Sequence, residues 1–146
     1  MLNVKKHKNF TAGGDKEANA LLTTPFSIMA PVEHGKGLGR HLGFPTFNQI
    51  PPKEMLIPAH GVYLTRCEID NKFYFGLTNV GTRPTVDVNA TPNLETHLFN
   101  FVGDLYQKEL LVEFLDFIRS EKRFESTEAL QRQIQLDIKA VQERLK

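Results

Sequence analysis

The sequence predicts a mainly β domain, a small antiparallel barrel with one α-helix at its C-terminal end. Three observations carry that expectation. Val62 to Ile69 and Lys72 to Val80 are β-rich runs on either side of Asp70-Asn71, the pattern of a hairpin with a two-residue turn. Leu94 to Phe101 and Leu110 to Ile118 add two more β-rich runs. Leu130, Ile134, Ile138, Val141 and Leu145 then recur at steps of four, four, three and four, one apolar stripe on a helix of about 18 residues. Closing short strands into a barrel removes exposed sheet edges, and the helix would cover one side.

Taken in order, residues 1 to about 24 carry Gly13-Gly14, Lys, Asn and Thr with little periodicity. They read as a flexible leader or linker, with a short helical piece near Glu17 to Leu22, ahead of a domain over residues 25–146. Ser27 to Val32 is the first strand and leads into a glycine-rich loop. Pro51-Pro52 and Pro58 make the next connection irregular. After the hairpin, Gly81-Thr82-Arg83-Pro84-Thr85 is expected to break the sheet, and polar Asp87 to Asn93 to form a mobile loop. Val102-Gly103-Asp104-Leu105-Tyr106 joins the last two strands. Ser126 is placed to cap the helix, with Lys and Arg in its last turn.

The 146 residues suffice for one domain with a real core. A net charge of +1 provides no broad field for nucleic acid or an anionic membrane. The lone Cys67 excludes a disulfide framework and a thiolate metal cluster and fits a reducing compartment. His7, His34, His41, His60 and His97 lack zinc-ligand spacing. There is no apolar run of membrane-spanning length and no signal peptide. The expectation is a cytoplasmic monomer acting on small molecules, with no nucleic-acid or membrane partner.

Chemistry concentrates between Glu33 and Asn48. Gly35, Gly37, Gly39 and Gly43 give a backbone able to approach a ligand closely, with Arg40 among them and a rigid Pro45-Thr46-Phe47-Asn48 behind. Free amides and a guanidinium suit polyphosphate oxygens, while a hydroxyl and an amide oxygen suit magnesium. The loop is neither a Walker A loop, since no Gly-Lys-Ser/Thr closes it, nor a dinucleotide fingerprint. By itself it is equally a plain surface loop. Thr46 after Pro45 could make a local turn bond, Glu95 could be a solvated strand residue, and Arg119 could be surface charge. His97, alternating with Glu95 on one strand face, is read as a structural hydrogen-bonding residue. Phe73, Phe75, Phe99, Phe101, Phe114 and Phe117 are read as core.

Six anchors in fixed order change the weighting. They are Leu42-Gly43-Phe44-Pro45-Thr46-x-Asn48, Gly61-Val62-Tyr63, Asn79 to Thr85, Glu95-Thr96-His97-Leu98, Gly103-Asp104-Leu105-Tyr106, and Ile118-Arg119-x-Glu121-Lys122-x-Phe124 with the closing helix. From about Phe26 onward the chain resembles riboflavin kinases (flavokinases), found alone in eukaryotes and as the C-terminal half of bacterial bifunctional riboflavin kinase/FAD synthetases. The resemblance implies a six-stranded antiparallel Greek-key barrel with a C-terminal helix, and ATP-dependent phosphorylation of the ribityl 5′-hydroxyl of riboflavin to give FMN and ADP. It implies Mg²⁺ held near Thr46 and Asn48, and Glu95 as general base. Gly35, Gly37, Gly39 and Arg40 would hold the ATP phosphates, and Leu98, Asn100 and Tyr106 would line the nucleotide pocket. Arg119 and Phe124 would hold the flavin.

Three positions depart from the family pattern. Phe47 stands where a small residue is usual, Leu38 where an extra Arg is common, and Asn100 where Asp or His is frequent. The segment before Phe26 is too short for a nucleotidyltransferase domain, so the chain is not expected to make FAD. Two alternatives from other classes remain at this point. One is a flavin- or nucleotide-binding regulatory domain without turnover, motivated by Phe47 and Leu38. The other is an oligonucleotide-binding barrel, which the near-neutral charge disfavours.

Overall fold

A computed structural model describes residues 25–34, 43–83 and 91–146. The leader, its short helical piece, and Gly35, Gly37, Gly39 and Arg40 therefore lie outside the described residues.

The strands are β1 (Phe26–Glu33), β2 (Phe47–Gln49), β3 (Gly61–Ile69), β4 (Lys72–Arg83), β5 (Thr91–Leu98) and β6 (Glu109–Arg119), followed by helix α1 (Thr127–Arg144). They close a barrel in the order β1-β2-β5-β4-β3-β6, with every neighbouring pair antiparallel. β3, β4 and β5 form a meander. β6 crosses over to lie between β3 and β1, the Greek-key feature expected.

Side-chain alternation builds the interior. In β1, Phe26, Ile28, Ala30 and Val32 are buried while Met29 and Pro31 face out. Tyr63, Leu94, Val112 and Phe114 complete the inner cluster, with Tyr63 and Phe114 in edge-to-face contact at 5.3 Å. Three hydroxyls cross this apolar interior from strand to strand: Thr65 to Thr78 and Thr78 to Thr96, both at 2.8 Å. Gln49 is also fully buried, and its Nε2 donates to Ala30 O at 2.8 Å and Leu110 O at 3.0 Å. That amide ties β1 to β6 where β2 is only three residues long.

The hairpin turn forms as read, with φ of +52° at Asp70 and +66° at Asn71, the double left-handed conformation of a type I′ turn. The expected break over Gly81 to Thr85 is corrected at Gly81 to Arg83, while Pro84 and Thr85 lie outside the described residues. Gly81, Thr82 and Arg83 continue β4 and pair with Asn93, Pro92 and Thr91. Thr91 to Asn93 thus belong to β5 rather than to a loop, and Glu95 sits mid-strand rather than at a strand start. The ladder runs on because both strands keep a partner for each other, which overrides the local turn composition. At its other end β5 stops at Leu98, and Asn100 turns the chain with φ of +59°. Phe73 is corrected from core to surface. It alternates outward from Tyr74 near the hairpin tip, is 49% exposed, and lies under the Arg66 guanidinium at 4.6 Å.

Ser126 caps α1, its Oγ accepting from Ala129 N at 3.1 Å. Val141 and Ile138 pack on the outer face of the barrel against Val62, Leu64 and Leu77. Two ion pairs hold the helix to β6: Arg144 with Asp116, and Arg119 with Asp137. Leu145, expected on the apolar stripe, follows the last helical turn as its C-cap and is 40% exposed.

Candidate active site

Asn48, Glu95 and Asn79 stand side by side on β2, β5 and β4, because Asn48 pairs with Glu95 and Glu95 with Asn79. The alternation that sends Thr78 and Thr96 into the barrel sends Asn79, Glu95 and His97 to its outer face. Thr46, one residue before β2, donates Oγ1–H to Glu95 Oε1 at 3.1 Å. His97 Nδ1 bonds Pro45 O at 2.8 Å, so two residues of one strand face grip the Pro45-Thr46 segment. His97 thus has the structural role the sequence suggests.

Opposite this wall, residues 119 to 124 and the start of α1 form a second wall. Thr46, Glu95 and His97 on one side and Arg119, Lys122, Phe124, Leu130 and Ile134 on the other enclose a cleft of about 270 Å³. Arg119 donates Nε to both carboxylate oxygens of Asp137 at 2.9 and 3.1 Å, and Nη2 to Oδ2 at 2.8 Å. Phe124 presents its ring 5.9 Å from the guanidinium. Glu121 folds against Gly81, where a Cβ would collide with its carboxylate, and pairs with His60 at 3.7 Å. That close approach is what the glycine in β4 provides.

A larger cleft of about 910 Å³ lies on the other side of Thr46. Val32 to His34, Pro45 to Asn48, Leu98 and Val102 to Tyr106 line it. His34 and Tyr106 stack there with ring centroids 3.7 Å apart. Phe47 lines this cleft and packs against the inner cluster, so its bulk points away from Glu95. Thr46 lines both clefts.

The structure thus brings together Thr46, Asn48, Glu95, Leu98, Tyr106, Arg119 and Phe124. Asn100 is exposed at its turn and lines neither cleft. Asn79, quoted only as part of an anchor, and Asp137, not singled out in the sequence, also line the smaller cleft. A signal existed for Asp137: a carboxylate between Ile134 and Ile138 on the stripe side of an amphipathic helix, now only 4% exposed.

Among the described residues, no group of three His, Cys, Asp or Glu side chains is arranged to hold a metal. The donors at Thr46 are of a different kind. Asn93 Nδ2 donates to Asn48 Oδ1 at 3.2 Å, while the buried Asn93 Oδ1 has no partner among the described residues. By type, the Thr46 hydroxyl, the Asn48 and Asn93 amide oxygens and the Glu95 carboxylate are a neutral-to-anionic set of hard oxygens on neighbouring strands and the segment before β2. That set fits Mg²⁺ and does not fit a soft metal.

The riboflavin kinase (flavokinase) family model matches residues 22–145. A bifunctional riboflavin kinase/FMN adenylyltransferase of Pseudomonas fluorescens is 42% identical over 134 residues, covering 91% of this chain and 43% of that protein. An RNA-binding riboflavin kinase of Bacillus subtilis is 40% identical, covering 80% of this chain and 50% of its own length. The chain therefore spans half or less of these curated relatives. Among solved structures, a Streptococcus pneumoniae chain described as a macrolide-efflux protein superposes with a TM-score of 0.86 at 30% identity, over 97% of this chain and 46% of that one. Riboflavin kinase from Trypanosoma brucei shares the fold, with a TM-score of 0.59 at 24% identity over 84% of this chain and 80% of its own. On the family match, this chain belongs to the riboflavin kinase family.

Proposed function

We propose that the protein is an ATP-dependent riboflavin kinase, transferring a phosphoryl group to the ribityl 5′-hydroxyl to give FMN and ADP. The observation that carries this reading is the Thr46–Glu95 hydrogen bond at the meeting of the two clefts. A substrate alcohol reaching in from the smaller cleft and a polyphosphate from the larger one meet beside a carboxylate and a hydroxyl. Phosphoryl transfer needs in-line positioning and charge neutralisation, with little covalent work for the protein.

In this mechanism the flavin ring lies in the smaller cleft, with Arg119 and Phe124 holding it and its ribityl chain running toward Glu95. Glu95 Oε accepts the 5′-hydroxyl proton as the oxygen attacks the γ-phosphorus, and the bond to the β,γ-bridging oxygen breaks to release ADP. Leu98 and Tyr106 line the nucleotide side. Gly35, Gly37, Gly39 and Arg40 are proposed as phosphate ligands on sequence grounds alone. Thr46 and Asn48, with Asn93 beside them, would hold Mg²⁺, which supplies neutralisation of phosphate charge when bound. His97 keeps Thr46 in place through Pro45. The enzyme is proposed to act as a cytoplasmic monomer without a nucleic-acid partner. Among the described residues no helix is long and apolar enough to cross a membrane.

The test is FMN formation from riboflavin and MgATP, followed by chromatography with fluorescence detection. EDTA-sensitive FMN formation is expected. Tight riboflavin binding with no FMN would instead identify a binding domain that has lost turnover.

A further inference from the structure

We infer that Asp137 on α1 is a positioning residue for Arg119, so that docking of the helix is part of the flavin site; this rests on the riboflavin kinase reading above. Asp137 grips the guanidinium side-on through Nε and Nη2, and Gln133, one turn earlier, donates Nε2 to the same Oδ1 at 2.9 Å. Arg119 Nη1 donates to Ser120 O at 3.0 Å. A guanidinium has five N–H donors. Among the described residues, one on Nε, one on Nη2 and one on Nη1 are engaged, which leaves two for a ligand in the cleft.

The side chain is therefore held before the ligand arrives. A free arginine would lose rotamer entropy on binding, whereas this one has already lost it on folding. Net stability alone gives no reason to prefer this pair over apolar side chains. The carboxylate is 5% exposed and the guanidinium 16%, and a buried ion pair stabilises no better than well-packed apolar side chains. The other ion pair between α1 and β6 provides the contrast. Arg144 is 42% exposed, neither it nor Asp116 lines the smaller cleft, and that pair also joins helix to barrel. One pair anchors the helix; the other also aims a side chain.

The test compares Asp137→Asn with Asp116→Asn in riboflavin binding, read by quenching of flavin fluorescence, and in steady-state kinetics. Asp137→Asn is expected to raise the riboflavin Kd and KM by on the order of tenfold to a hundredfold while leaving the ATP KM unchanged. Asp137→Glu should recover part of the loss. Asp116→Asn should lower Tm and leave riboflavin binding intact. Wild-type binding by Asp137→Asn, or an equal loss in Asp116→Asn, would overturn the inference. Should Asp137→Asn fail to fold, Arg119→Met/Asp137→Leu removes both charges at once. It must bind riboflavin as Arg119→Met alone does, and any difference between those two overturns the inference. Failure of the kinase reading shows separately, as absent riboflavin binding or absent FMN formation in the wild-type protein.

Discussion

On β4 and β5 the inner face carries Thr78, Leu94 and Thr96, and the outer face carries Asn79, Glu95 and His97, so residues one peptide bond apart meet different solvents. Inside, the Thr65-Thr78-Thr96 hydroxyls satisfy one another and Gln49 Nε2 has two carbonyl partners, while Gln49 Oε1 has none among the described residues. Outside, Asn79, Glu95 and His97 line a cleft, and the buried Asn93 Oδ1 beside them on β5 has no partner among the described residues. The inner face closes on itself, while the outer face is finished by α1, by residues 119 to 124, and on the proposed reading by substrate. Around Glu95, strand alternation therefore separates the packed interior from the proposed chemistry, whereas the larger cleft also draws on Phe47 and Leu98 of the inner cluster.

The largest break falls on the inner face. Phe114→Ala removes a fully buried ring packed on Phe26 and Tyr63, and should cost about 3–5 kcal/mol in urea unfolding. FMN formation per folded molecule should survive. A selective loss of turnover at unchanged stability would erase the distinction between the faces. Thr78→Val cuts the middle of the hydroxyl chain. It should cost about 1–3 kcal/mol, because the buried Thr96 hydroxyl loses its Thr78 partner while Thr65 keeps Gly76 O at 3.4 Å. An unchanged unfolding midpoint would show that the chain contributes nothing to the interior. Ser126→Ala removes the cap of the helix that finishes the outer face, for about 1 kcal/mol.

The smallest effect concerns Cys67, whose thiol is pushed up from 9.0 to about 12 by burial first and by the Glu113 carboxylate second. The unfolded chain gives up this proton at lower pH than the folded one. The contribution is thus fully present below pH 9 and is lost as pH rises toward 12. At neutral pH the thiol should resist Ellman's reagent until the protein unfolds. Rapid native-state labelling would show an interior more open than the barrel allows.

Much of this separation is legible in the sequence, and for a physical reason. Period-two alternation, the Asp-Asn turn and the helical stripe are local patterns, so the hairpin, β6 and α1 emerge nearly residue for residue. What local pattern does not encode is pairing. β2 is three residues long and reads as a rigid connector, yet Phe47, Asn48 and Gln49 bridge β1 and β5 and close the barrel. Gly81 to Arg83 look like a break and are held in the sheet by Pro92 and its neighbours. The same gap limits the site. Thr46, Glu95 and Arg119 stand out through residue type and order, whereas Asp137 acquires a role only when α1 folds back onto β6.

The central claim is that the outer-face carboxylate at the junction of the two clefts performs the chemistry. Glu95→Gln tests it most directly, since the amide keeps the shape and can still accept from Thr46 but cannot take the substrate proton. Riboflavin Kd, ATP KM and the single-turnover rate of FMN formation should be measured on the same sample. The account predicts near-wild-type binding of both substrates, with turnover reduced by a factor of roughly 10² to 10⁴. Full turnover in the variant would contradict it and move the base away from β5.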